Sequence, residues 1–106
     1  MSDRRVIVIT GAGGTLGAAI SRRLAGEPDT DLVLSDVSEA SLAATVDGLD
    51  ARDAPVETVL ADVSDFDQVE KVVQTAVDRF GHLDVLISNA GVLAPNGRIQ
   101  IGRAHV

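Results

Sequence analysis

Four consecutive β-branched residues, Val6-Ile7-Val8-Ile9, run straight into Thr10-Gly11-Ala12-Gly13-Gly14-Thr15-Leu16-Gly17. No other stretch restricts the fold as strongly. A short, wholly apolar, β-branched run reads as a strand covered on both faces. Glycines then permit a tight turn. A helical pattern, Leu16, Ile20 and Leu24 at i, i+4 spacing, begins within that turn. The start of a helix presents unpaired N–H groups and a partial positive charge, so it suits an anion such as a pyrophosphate. Gly11, Gly14 and Gly17 stand three apart. The first permits the turn off the strand, the second lets backbone approach phosphate, and the third lets the helix pack closely, helped by Ala18 and Ala19.

The same alternation continues along the chain. Strands are predicted near Arg5–Thr10, Asp31–Ser35, Val56–Ala61 and Leu83–Ser88. Helices are predicted over Thr15–Ala25, Glu39–Ala51 and Asp65–Phe80. In the second, Leu42, Val46 and Leu49 share a face. In the third, Val69, Val72, Val73, Ala76, Val77 and Phe80 make a continuous apolar stripe. Ser64 followed by Asp67 reads as an N-cap akin to a capping box, and Gly81 as the stop. Strand-helix-strand units with short links predict an α/β fold, a parallel sheet with right-handed crossovers and flanking helices.

Composition narrows the function. The chain has 106 residues, no Cys and a formal net charge of −7. Disulfides and thiolate metal sites are excluded. An acidic chain without a Lys/Arg cluster is not expected to bind nucleic acid or an anionic membrane. No apolar run approaches a membrane span, and no separate signal-peptide core precedes the first strand. A cytoplasmic protein is the expectation.

Asp36 ends the second predicted strand, 19 positions after Gly17. An acidic residue at about that distance binds the ribose 2′-hydroxyl of a dinucleotide and repels a 2′-phosphate. No Arg or Lys stands at Gly13, Gly14 or Val37 to pair with such a phosphate. Asp36 can also serve only the turn before the second helix, for which Ser38 is an adequate N-cap.

Thr10–Gly17, Asp36, Asp62-Val63 and Asn89-Ala90-Gly91, in that order, make the chain resemble the short-chain dehydrogenase/reductase family from about Arg4 to Gly97. The resemblance implies a Rossmann-type sheet, truncated after its fourth strand, in strand order 3-2-1-4. It implies cofactor binding by Gly11, Gly14, Thr15, Leu16, Gly17, Asp36, Asp62, Val63, Asn89, Ala90 and Gly91. Asp62 and Val63 would flank the adenine, Asn89 would steady the sheet, and Ala90 and Gly91 would line the ribose. The usual family loop carries Gly where this chain has Thr15, which leaves the subfamily open. The Thr15 hydroxyl either meets a phosphate or caps the helix.

The family transfers hydride between a nicotinamide and an alcohol or carbonyl substrate, with a Tyr-x-x-x-Lys segment handling the proton. This chain contains no Tyr. The expectation is therefore the NAD-binding part of such an oxidoreductase, inactive alone, from a homo-oligomeric parent. A non-catalytic, redox-sensing dinucleotide module is the alternative. His82 reads as a polar loop residue. Ile101-Gly-Arg-Ala-His-Val106 resembles the translation of a common sequencing-adapter oligonucleotide. Residues 1–99 are therefore expected to be the binding unit and 100–106 a non-native tail.

Overall fold

The computed structural model describes residues 4–49 and 54–89. Strand β1 (Arg5–Thr10) leads to helix α1 (Thr15–Ala25), β2 (Thr30–Asp36), α2 (Glu39–Asp47), β3 (Val56–Leu60), α3 (Phe66–Phe80) and β4 (Val85–Ser88). The strands are all parallel, in the order β3-β2-β1-β4. The expected Rossmann-type α/β architecture and strand order are both present. Ala90 and Gly91, and the tail at 100–106, lie outside the described residues.

Successive strand side chains point to opposite faces, and this divides the core in two. Val6, Val8, Val33 and Val59 meet Val72 and Ala76 of α3 on one face. Ile7, Ile9, Leu32 and Leu34 meet Ala25 of α1 and Leu42 of α2 on the other, with Ile20, Leu24 and Val46 packed alongside. Ile9, Leu32 and Leu34 are fully buried. Each side chain of that size contributes about 1.5–3 kcal/mol when removed from water. The central strands carry unbroken apolar runs, Val6–Ile9 and Leu32–Leu34, because both of their faces are covered.

Several element ends differ from the sequence expectation. Helix α2 stops at Asp47, short of Ala51, because Gly48 caps it: the Gly48 N–H donates to the carbonyls of Ala44 and Thr45, and the Leu49 N–H to that of Val46. The N-cap of α3 is Asp65, which accepts from the Asp67 N–H, and not Ser64. Ser64 is drawn away by Asp62, whose Oδ1 takes both its N–H (2.9 Å) and its hydroxyl (2.7 Å). Strand β4 begins at Val85 instead of Leu83. Just before it, the Asp84 carboxylate accepts the Val6 N–H at 2.8 Å, so a side chain supplies the partner there. Leu16, expected on the apolar face of α1, is 64% exposed. It sits in the first helical turn, beyond the end of β1, with no sheet beneath it. Gly81 does stop α3, in the left-handed conformation at φ 93°.

Helices α1 and α2 cover one face, and α3 packs on β1, β2 and β3. Among the described residues, strand β4 pairs only with β1, and its Val85 and Leu86 are exposed. An apolar sheet edge is a template for pairing with another chain. The isolated chain is expected to associate with rising concentration, and Leu86→Lys to shift it toward monomer. Sedimentation velocity over a concentration series checks this; a wild-type chain monomeric throughout contradicts it.

Candidate functional site

In a parallel sheet all carboxyl ends lie along one edge, and the loops that follow them meet there. Here those loops carry Gly11–Gly17, Asp36, Asp62-Val63 and Asn89. Main-chain bonds extend the sheet into them. Ala12 donates to the Ser35 carbonyl (2.9 Å), Ala61 to that of Asp36 (3.0 Å) and Asn89 to that of Thr10 (3.3 Å).

The glycine loop is folded tightly on itself. Gly11 is at φ 69°, where a side chain costs about 1–2 kcal/mol. A Cβ on Gly17 would lie 2.0 Å from the Gly11 carbonyl oxygen, so the first turn of α1 closes against the loop only through a glycine. A Cβ on Gly13 would lie 2.6 Å from Ser41 Cβ and 3.0 Å from Asp36 Oδ2. Gly14 is roomier, since a Cβ there would make only ordinary contact, at 3.5 Å. The crowded middle glycine is thus Gly13. Gly14 instead is the N-cap of α1, which has no side-chain cap and no acidic residue in its first turn. Thr15 does not cap the helix, because it is the first helical residue. By contrast, Ser38 and Glu39 open α2, and Asp65 and Asp67 open α3.

Asp36 serves the loop and the following turn at once. Its Oδ2 accepts the Gly13 N–H at 2.8 Å, and its Oδ1 accepts the Ser38 N–H at 3.1 Å. An ionised carboxylate offers about four lone-pair sites, so about two stay open for hydroxyl donors. Val37, beside it, is exposed. Ser38 caps α2 as expected, accepting from the Ser41 N–H at 3.1 Å.

Asp62 follows β3. Its N–H donates to Gln68 Oε1 at 2.7 Å. The hydrogen bonds from the Ser64 hydroxyl, then from its N–H, hold the Asp62 carboxyl below the usual aspartate range. Val63 is half-buried. Asn89, after β4, keeps a buried Nδ2 with no partner among the described residues. His82 lies at the other end of the sheet, its Nε2 2.8 Å from Asp84 Oδ2 and 3.2 Å from the Arg4 carbonyl oxygen.

Two contributors were not evident in the sequence. One is Gly13. The other is Thr45, which is buried on α2 and donates its hydroxyl to the Ala12 carbonyl at 2.9 Å. The available signal was a polar residue three positions after Leu42, on the apolar stripe of α2. Among the described residues, no group of three or more His, Cys, Asp or Glu is arranged to hold a metal ion. No helix there is long and apolar enough to cross a membrane.

These features define a parallel α/β unit with a glycine loop at the head of a free helix end. The short chain dehydrogenase model matches residues 5–104, and the chain belongs to that family, a family of oxidoreductases. It is 48% identical over 92 residues to levodione reductase of Leifsonia aquatica, covering 83% of this chain and 33% of that protein. A short chain dehydrogenase/reductase from Burkholderia phymatum, solved in complex with NAD, superposes with a TM-score of 0.72 at 43% identity. That match covers 79% of this chain and 30% of the other. An alcohol dehydrogenase from Thermococcus sibiricus, complexed with 5-hydroxy-NADP, gives 0.70 at 32% identity, covering 79% and 36%. The chain spans about a third of the length of the curated relatives it matches.

The loop geometry separates two glycines by their surroundings. Gly17→Ala is expected to destabilise the chain by about 2 kcal/mol or more, since backbone must move. Gly14→Ala is expected to cost less than about 1 kcal/mol, as a change of N-cap residue only. Urea denaturation of both variants checks the difference; equal losses contradict it.

The lowered Asp62 carboxyl also sets a sign. A depressed folded-state value adds stability that is complete above the ordinary value of 3.8 and is lost as pH falls through the lowered one. Ser64→Ala should therefore lower the urea midpoint at neutral pH, and the two curves should converge below that window. Parallel curves across pH 2–6 would rule out the linkage.

Proposed function

We propose that this chain is the NAD-binding part of a dehydrogenase that moves hydride between a nicotinamide and an alcohol or carbonyl carbon. One observation carries this reading: among the described residues, α1 alone of the three helices begins without a side-chain cap or an acidic first turn, and it begins at the glycine loop. The first-turn N–H groups and the helix dipole favour an anion there. The residues present fit a dinucleotide. The loop backbone from Gly11 to Gly17, with Thr15 and Leu16, would take the pyrophosphate. The open lone pairs of Asp36 would accept the adenosine ribose hydroxyls. Asp62 and Val63 would border the adenine, and Asn89, whose Nδ2 has no partner among the described residues, would steady the sheet beside them. Ala90 and Gly91, next in the chain, are proposed to line the nicotinamide ribose.

The cofactor, when bound, supplies the hydride acceptor or donor. The residues of this chain bind and orient it. Proton handling belongs to the Tyr-Lys pair of the family, and this chain has no Tyr. Binding without turnover is therefore proposed for the chain as it stands, with the small substrate taken by the parent enzyme.

Asp36 favours NAD by charge, since a 2′-phosphate would sit against its carboxylate. Gly13 favours it by sterics, because no cationic side chain can be built there without displacing Ser41 or Asp36. The NAD-bound relative supports the reading, and the NADP-type complex shows that both forms occur among similar structures. Equilibrium dialysis is expected to give NAD at least about tenfold tighter than NADP, equivalent to about 1.4 kcal/mol. Asp36→Ala should narrow that ratio. Tighter binding of NADP by the wild type would overturn the preference.

A further inference from the structure

We infer that Thr45 is a positioning residue for the cofactor loop, because it and Asp36 pin a single peptide unit from both sides. The Ala12 carbonyl and the Gly13 N–H belong to the same peptide plane. The carbonyl accepts the Thr45 hydroxyl at 2.9 Å, and the N–H donates to Asp36 Oδ2 at 2.8 Å. In a trans peptide these two groups point in opposite directions, so the plane is held at both poles and cannot flip. The adjoining N–H of Ala12 is also fixed, by the Ser35 carbonyl at 2.9 Å. Thr45 and Ser41 lie one turn apart on α2. Ser41 Cβ would crowd any side chain on Gly13, so α2 braces the loop by packing as well as by hydrogen bonding.

The second contact of Thr45 sharpens the assignment. Its hydroxyl also lies 3.2 Å from the Ser41 carbonyl, the ordinary i−4 partner of a buried helical threonine. That bond alone would satisfy the side chain. The single hydroxyl proton instead has a shorter path to Ala12, outside the helix. The clamp sets the direction of the Gly13 and Gly14 backbone before any ligand arrives, which lowers the ordering cost of binding. It also holds the Asp36 carboxylate at the loop. This inference rests on the dinucleotide reading of that loop.

Thr45→Val keeps the volume and removes the hydroxyl; Thr45→Ser keeps the hydroxyl and removes a buried methyl. Two quantities are read on the full chain: NAD affinity by equilibrium dialysis, and amide hydrogen exchange at Gly13. Thr45→Val is expected to weaken NAD about fivefold, as for an orphaned buried carbonyl, and to speed Gly13 exchange. Thr45→Ser is expected to stay within about twofold of wild type in both. A purely packing role predicts the reverse order, with Ser the worse substitute. Unchanged Gly13 exchange in Thr45→Val overturns the clamp whether or not cofactor binds. A wild-type chain that binds neither NAD nor NADP overturns the reading of the loop, while exchange still reports on the peptide.

Discussion

Strand β1 has neither a free side nor a free face. It pairs with β2 on one side and β4 on the other, and α3 and α1 cover its two faces. Its four apolar residues, Val6 to Ile9, are all buried. β2, β4, α1 and α3 pack directly on it, and β3 and α2 follow through β2. The parallel pairings bring β2 and β4 to opposite sides of one strand. The chain must then leave β1 at a point where its neighbours depart in opposite directions. That reversal opens a crevice at the carboxyl ends. The glycine loop stands over it because the loop is the continuation of β1.

Elements whose signal lies in local pattern were legible in the sequence. The four strands and three helices were evident from apolar runs and helical stripes. The site was legible where a residue type is dictated by backbone need, as at Gly11 with its positive φ and Gly17 against the Gly11 carbonyl. Contacts set by tertiary packing were hidden. Gly13 looks like one more loop glycine until α2 is laid across it. Thr45 looks like a tolerated polar residue until its hydroxyl reaches Ala12. The cap of α3 went to Asp65 because Asp62 competes for Ser64, and a linear pattern does not rank two adjacent acceptors. Leu16 continues a helical stripe, but the sheet ends before it.

Asp36 has a structural role in the loop and keeps acceptor capacity for the ligand role proposed above. The sequence posed these as alternatives. The geometry makes them compatible, since the bonds to Gly13 and Ser38 use about half of the carboxylate's acceptor capacity. A consequence is that charge and loop shape are coupled at this position. Removing the carboxylate removes a repulsive group and also frees one pole of the Ala12–Gly13 peptide. Any substitution of Asp36 would therefore carry a cost in loop order.

The net charge of −7 stands against the anion site proposed at the glycine loop. Distance and placement resolve the conflict. Charges farther apart than about 8 Å are largely screened at physiological salt, so local arrangement outweighs the total. The acidic residues nearest to helix starts sit where they neutralise α2 and α3, at Glu39, Asp65 and Asp67. The start of α1 has none, and its own cationic residues, Arg22 and Arg23, lie in the last turn, where they oppose the negative end of the dipole. The acidic chain thus keeps one helix start uncompensated. Asp36 approaches it only through the Gly13 N–H.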